Sequence, residues 1–261
     1  MTLYIVPVPI GNLGDITRRA VQVLESVDFL VAEDTRRSAR LLSHLGIRKS
    51  VMSYYSPREK EKSAAILKRL SHESCALISD SGTPVISDPG FILVREAISR
   101  NIPVVPLPGP TAFVPALCAS GLPADRFLFV GFPPRKKSEL ERALRTLASI
   151  PYTMIFYESP RRIMDFMAAL AETLGDRPYA LSRELTKRNE SIIRGRLAKY
   201  VEDLEDEPLL GEMVLVVGGR QAGQTDSEDL TLNNREDLLR LLKERFNLDR
   251  NRVRSAWMRK S

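Results

Sequence analysis

Histidine and cysteine are scarce, two of each in 261 residues. Cys75 and Cys118 lie in apolar surroundings with no second Cys or His at metal-ligand spacing, which argues against a zinc site or a disulfide framework; both read as buried core thiols. His44 and His72 fall in charged helical stretches and are expected on the solvated surface. A Ser-His-Asp hydrolase therefore lacks an obvious base, and no Gly-x-Ser-x-Gly elbow occurs. Neither Gly-x-x-x-x-Gly-Lys-Ser/Thr nor Gly-x-Gly-x-x-Gly is present, so nucleoside-triphosphate and Rossmann dinucleotide sites are unsupported. No apolar run approaches the ~20 residues that cross a bilayer. Met1-Thr2-Leu3 leads into a strand without a basic region or cleavage site, so the expected location is cytoplasmic.

What is present is a full core's worth of apolar residues, 43% against 28% charged, with a net charge of +6. The excess is concentrated at the end of the chain, where Arg250, Arg252, Arg254, Arg259 and Lys260 surround Trp257 with no acid between Arg250 and Ser261. That tail reads either as a polyanion-binding segment with a stacking ring or as a frayed, solvated end.

Apolar spacing alternates between the two regular periods. Leu3–Val6, Phe29–Ala32, Cys75–Ser79 and 103–106 read as strands, with helices after Thr17, after Asp34 or Thr35, from the capping box Ser56-Pro57-Arg58-Glu59 to about Leu70, and over 91–100. Such alternation predicts a parallel sheet wrapped by helices. A break in texture follows the strand Phe127–Val130, at Gly131-Phe132-Pro133-Pro134-Arg135-Lys136-Lys137. Beyond it a helix over Ser138–Ala148, a strand Thr153–Tyr157, a helix opened by Ser159-Pro160, and strands near Tyr179–Ser182, Ser191–Arg194 and Met213–Val217 make a second α/β unit. The expected organisation is an N-terminal α/β domain over 1–131, a C-terminal α/β domain over 132–220, and a linker with a basic helical tail over 221–261. Within that tail 221–234 is the linker and Leu238, Leu239, Leu241, Leu242 and Phe246 mark a short amphipathic helix.

Polar loops fall at the carboxyl ends of the first-half strands, where ligands of α/β proteins collect. They are Pro7–Asp15, Ala32–Arg37, Ser79–Pro84 and Pro106–Ala112, and together they imply a cleft of backbone groups, small residues and carboxylates. Such a lining suits a cationic or zwitterionic ligand. Taken alone, Ser79–Pro84 is also a tight turn whose Asp80 and Thr83 cap the next helix.

Six segments in order, Pro9-Ile10-Gly11-Asn12-Leu13, Ala32-Glu33-Asp34-Thr35-Arg36, Ser79-Asp80-Ser81-Gly82-Thr83-Pro84, Pro106-Leu107-Pro108-Gly109-Pro110, Phe156-Tyr157-Glu158-Ser159 and Arg183-Glu184-Leu185-Thr186-Lys187, closely resemble the ribosomal RNA small subunit methyltransferase I family from about Leu3 to Gly219. The resemblance implies two α/β domains of the tetrapyrrole methylase type with S-adenosylmethionine in the cleft between them. It implies 2'-O-methylation of a cytidine ribose in the decoding region of 16S rRNA, no metal, and a homodimer. The cofactor contacts it implies are Leu13, Asp80, Ser81, Gly82, Thr83, Ile86, Gly109, Thr111 and Ala112, with Tyr157, Glu158, Glu184 and Leu185 from the second half. Asp34 is the first candidate for the base that takes the hydroxyl proton, with Glu33, Glu184 and Lys187 as alternatives; Asp34 is equally readable as a helix cap paired with Arg36 or Arg37. Arg18, Arg19, Arg36, Arg37, Arg135, Lys136, Lys137, Arg161 and Arg162 are placed to grip RNA phosphates. A small-molecule methylase of the tetrapyrrole type is the alternative. It is weakened because only Gly14-Asp15 fits that branch's Gly-x-Gly-x-Gly-Asp turn, with Ile10 and Asn12 in place of the other glycines.

Overall fold

The computed structural model describes residues 1–55 and 59–220. The linker, the basic tail, the helix at 238–246 and the Ser56–Arg58 part of the capping box lie outside them.

β1 (Leu3–Ile5), α1 (Arg18–Ser26), β2 (Phe29–Ala32), α2 (Thr35–His44), β3 (Ser50–Ser53), α3 (Glu59–Leu70), β4 (Cys75–Ile78), α4 (Phe91–Ser99) and β5 (Val104–Pro106) follow one another in strict alternation. The strands form a parallel sheet in the order β3-β2-β4-β1-β5. β2 and β4 are buried at every position, as central strands covered on both faces must be. α1 and α2 bury Ala20, Leu24 and Leu42 on one face, and α3 and α4 bury Ile66, Leu70, Leu93 and Ala97 on the other. Right-handed crossovers demand this arrangement, because the chain first steps toward β3 and then returns toward β5. All strand ends that point toward following helices therefore share one edge.

α5 (Phe113–Ser120) leaves that edge and packs on a second sheet, built from β6 (Phe127–Gly131), β7 (Thr153–Glu158), β8 (Pro178–Arg183), β9 (Ser191–Arg196) and β10 (Met213–Val217) in the order β6-β7-β10-β8-β9. Only β6 and β7 are parallel. Residues 184–190 are too few for a crossover, so β8 and β9 must run antiparallel. α6 (Lys137–Leu147) and α7 (Ile163–Leu174) cover the outer face. α7 buries Ile163, Phe166, Met167, Leu170 and Leu174 at helical spacing, each large side chain contributing about 1.5–3 kcal/mol. The inner face takes Ala116 and Leu117 of α5 and Ile10 of the first loop against Ile155, Ala180, Val214 and Val216. α8 (Tyr200–Leu204) precedes β10.

Three details differ from the sequence reading. β3 is a four-residue edge strand with no fully buried position, so its apolar signal is weak. β6 is hydrogen-bonded to β7 and α5 already packs on the second sheet, so the chain passes between sheets at 107–112, before the boundary drawn at Gly131; the Pro133-Pro134 break marks the loop after β6 instead. Cys118 is exposed. The inward stripe of α5 is Ala116, Leu117 and Ser120, and a residue two positions after Ala116 points the other way. Cys75 is buried in β4, and His44 and His72 are exposed.

Candidate active site

The loops at the common edge of the first sheet are tied to one another. Val8 and Gly82 exchange backbone hydrogen bonds of 2.9 and 3.0 Å, joining the turn after β1 to the turn after β4. Asp80 Oδ1 accepts from the Asp34 backbone amide at 3.0 Å, joining β4's turn to β2's. The Thr83 hydroxyl donates to the Pro110 carbonyl at 2.8 Å, joining it to β5's. Gly82 holds φ +79°, a left-handed conformation, and an added Cβ would lie 3.3 Å from Ile10 Cγ2 and 3.7 Å from the Pro110 carbonyl oxygen. Gly109 is tighter, since a Cβ there would be 2.6 Å from Pro7 Cβ.

Four carboxylates gather around these ties. Both oxygens of Asp34 are engaged by Arg36, through Nε at 3.1 Å and the terminal nitrogen at 2.8 Å, and Oδ1 also accepts the Arg36 amide at 2.8 Å as the N-cap of α2. These bonds, the guanidinium first, hold the carboxyl down to about 2. Glu33 is pushed up, by burial first and then by the Asp80 charge, with Arg37 opposing. Asp80 Oδ2 faces Arg37 Nε at 3.6 Å. Asp88 is pushed up to about 7 by burial, then by Glu33 and Asp80. It sits on the loop between β4 and α4, where Val85 and Ser87 take positive φ of 76° and 65°.

The second sheet closes this edge. The Asn12 amide donates to Thr186 Oγ1 at 3.1 Å, and Gly11 abuts Lys187 and Thr186. The turn bearing Thr186 is set by positive φ at Glu184 and Thr186, by Lys187 Nζ on Glu184 Oε1 at 2.8 Å, and by the Glu212 amide on the same oxygen at 2.8 Å. Leu185 is buried with Ile10. Tyr157 projects from β7 between Phe129 and Phe132, at ring distances of 5.1 and 5.4 Å. Burial pushes its hydroxyl up. A recess of 340 Å³ opens along the seam between Ile10, Gly109, Pro110, Thr111, Val114 and Thr186.

The family model for Tetrapyrrole (Corrin/Porphyrin) Methylases matches residues 2–200. Ribosomal RNA small subunit methyltransferase I of Pasteurella multocida is 47% identical over 228 residues, covering 86% of this chain and 81% of that protein. The protein of the same name from Micromonospora olivasterospora is 46% identical, covering 87% and 73%, and that of Hydrogenobaculum is 45% identical, covering 83% and 95%. The chain belongs to the ribosomal RNA small subunit methyltransferase I family. Its fold is that of the tetrapyrrole methylases: a uroporphyrin-III-C-methyltransferase from Thermus thermophilus superposes with a TM-score of 0.58 at 20% identity, covering 83% of this chain and 94% of that one.

Set against this family, the residues expected at the site separate into groups. Asp80, Ser81, Gly82, Thr83, Gly109, Thr111 and Ala112 lie on the tied loops, Tyr157 and Leu185 meet them across the seam, and Glu184 bonds Lys187 and the Glu212 amide within its own turn. Leu13 is part of a 3₁₀ turn on the far side of the first loop, beside Asp80. Ile86 is exposed on the loop before α4. Glu158 turns inward with its side chain 1% exposed. One oxygen accepts the Ser159 amide at 2.7 Å and the other pairs with Arg162 at 3.4 Å, so this carboxylate holds the β7–α7 corner. Arg162 thereby leaves the solvent-facing set, while Arg18, Arg19, Arg36, Arg37, Arg135, Lys136, Lys137 and Arg161 stay exposed. Asp88 and the Asn12–Thr186 tie went unread in the sequence. Asp88-Pro89-Gly90 has the composition of an ordinary turn, and a contact between residues 174 apart leaves no local signal.

Proposed function

We propose that this protein transfers a methyl group from S-adenosylmethionine to the 2'-hydroxyl of a cytidine in the decoding region of 16S rRNA, with the cofactor held at the seam between two α/β domains. The reading is carried by one observation: segments scattered from residue 9 to residue 187 meet at that seam through the ties Val8–Gly82, Thr83–Pro110 and Asn12–Thr186. The residues present fit the cofactor. Thr111 Oγ1 is buried at the seam recess with no hydrogen-bond partner among the described residues, and the carboxylates favour sulfonium and ammonium charge. S-adenosylmethionine supplies an electrophilic methyl group carried on sulfur.

The chain's own contribution is alignment first, because an in-line displacement gains most of its rate from holding the reacting atoms about 3 Å apart. The ties between loops make that seam rigid. A proton acceptor adds about 10²-fold or more. Asp34, the expected base, is committed to Arg36, and a carboxylate held near 2 is a poor proton acceptor. Glu33 is the base in this proposal. It lies beside Asp34, its affinity for a proton is raised, and Arg36 leaves it free. Glu184 and Lys187 neutralise each other and serve to shape the turn. The exposed arginines and lysines around the edge take RNA phosphates, and the protein acts as a homodimer.

Labelled methyl transfer to small ribosomal subunits, free 16S rRNA and a tetrapyrrole mixture tests the reading. The expected result is label on a single cytidine ribose. Label on tetrapyrrole, or cofactor binding with no RNA product, overturns the acceptor assignment.

A further inference from the structure

The loop after β1 is a wall with a recess on each side. Ile10 and Asp15 line the seam recess already described. Pro9 and Leu13 line a second recess of 220 Å³, which shares no residue with the first and runs between this loop and α2. Its lining is apolar at Val8, Pro9, Leu13, Leu41 and Ile78 and polar at Ser38, Ser79 and Asp80, with the guanidinium groups of Arg37 and Arg40. Those two arginines stand three apart on α2 and so project from neighbouring positions on one helix face. Arg37 is 60% exposed and its one ion pair, to Asp80, is long at 3.6 Å. Arg40 is exposed and has no hydrogen bond or ion pair among the described residues. Neighbouring Arg36, by contrast, pairs with Asp34 through two guanidinium nitrogens.

Apolar surface beside two guanidinium groups suits a nucleoside with its phosphate. Asp80, which lines the recess and faces Arg37, adds a carboxylate, which disfavours a polyphosphate and suits the single charge of a phosphodiester. We propose that the recess between the first loop and α2 binds one nucleotide of the RNA strand, with Leu13 and Pro9 against the nucleoside and Arg37 and Arg40 on its phosphate. This rests on the RNA-methylating reading above. It places substrate and cofactor on opposite sides of one loop, so that the strand is registered by the wall that borders the cofactor.

Equilibrium binding of a 16S rRNA fragment to the full chain, measured over a salt series without turnover, tests the proposal separately from that reading. Arg40→Ala is expected to weaken RNA binding about tenfold, as loss of a charged hydrogen bond does, and to reduce the slope of log K against log salt by about 0.7. Arg37→Ala/Arg40→Ala is expected to double the change in slope, and S-adenosylmethionine affinity is expected to stay within about twofold. Arg145→Ala on α6, whose partner is Glu141, is the surface-charge control. An unchanged slope in both recess variants, or one matched by the control, refutes the proposal. A parallel loss of cofactor affinity assigns the recess to the cofactor and refutes it as well. Failure of the wild type to methylate RNA that it binds with the expected slope dependence refutes the function and leaves the binding site standing.

Discussion

Asp88 is the most informative ionisable group to perturb. It is pushed up to about 7 by burial and by the charges of Glu33 and Asp80. The folded state therefore holds this proton more tightly than the unfolded chain, whose carboxyl titrates at the ordinary 3.8. The stability it contributes is fully present below about pH 4 and is lost as pH rises toward about 7. At 1.36 kcal/mol per pH unit the loss is at most about 4 kcal/mol. The side chain is partly open to water, and screening reduces the expected figure to about 1–2 kcal/mol. Asp88→Asn keeps the shape and removes the charge. It is expected to match the wild type near pH 4 and to exceed it at pH 8 by that amount, a rise of about 2–8 °C in Tm for a chain of this size. Urea and thermal unfolding of both proteins at the two pH values measure this. A gain of equal size at both pH values, or a loss at both, means that ionising Asp88 carries no penalty in the fold, and the electrostatic account of the carboxylate cluster fails.

Other perturbations separate cap, base and cradle. Glu33→Gln is expected to lower kcat about 10²-fold with cofactor affinity unchanged, whereas Asp34→Ala, which removes the α2 cap, lowers Tm with a loss in kcat below about tenfold; the reverse pattern returns the base role to Asp34. Gly82→Val places a branched side chain at φ +79° against Ile10 and is expected to abolish cofactor binding, read by calorimetry. Normal affinity in that variant removes the turn from the site. Thr186→Val deletes the acceptor for the Asn12 amide, and because that amide is open to water the loss is expected to cost about 0.5–1 kcal/mol of stability by urea titration.

Local pattern was enough for most of the fold. Strands such as Phe29–Ala32 and Cys75–Ile78 are unbroken apolar runs because both faces are covered, and Thr17 and Asp34 announce their helices because a cap must satisfy free amides. The same locality explains the misses. Ser50–Ser53 is an edge strand with little to bury, and α5 is apolar around its whole circumference, so only its packing on the second sheet decides that Leu117 faces inward and Cys118 outward. The sequence by itself determined the α/β alternation, the six segments and their resemblance to one methyltransferase family. Tertiary structure alone decided the state of each charge. Asp34 and Glu33 are adjacent in the chain, yet Arg36 holds one carboxyl down while burial and Asp80 raise the other. Asp88 joins them only because a loop with two positive-φ residues returns it to the strand edge. Proton affinity depends on distance and solvent access, and both are set by contacts that sequence spacing does not record.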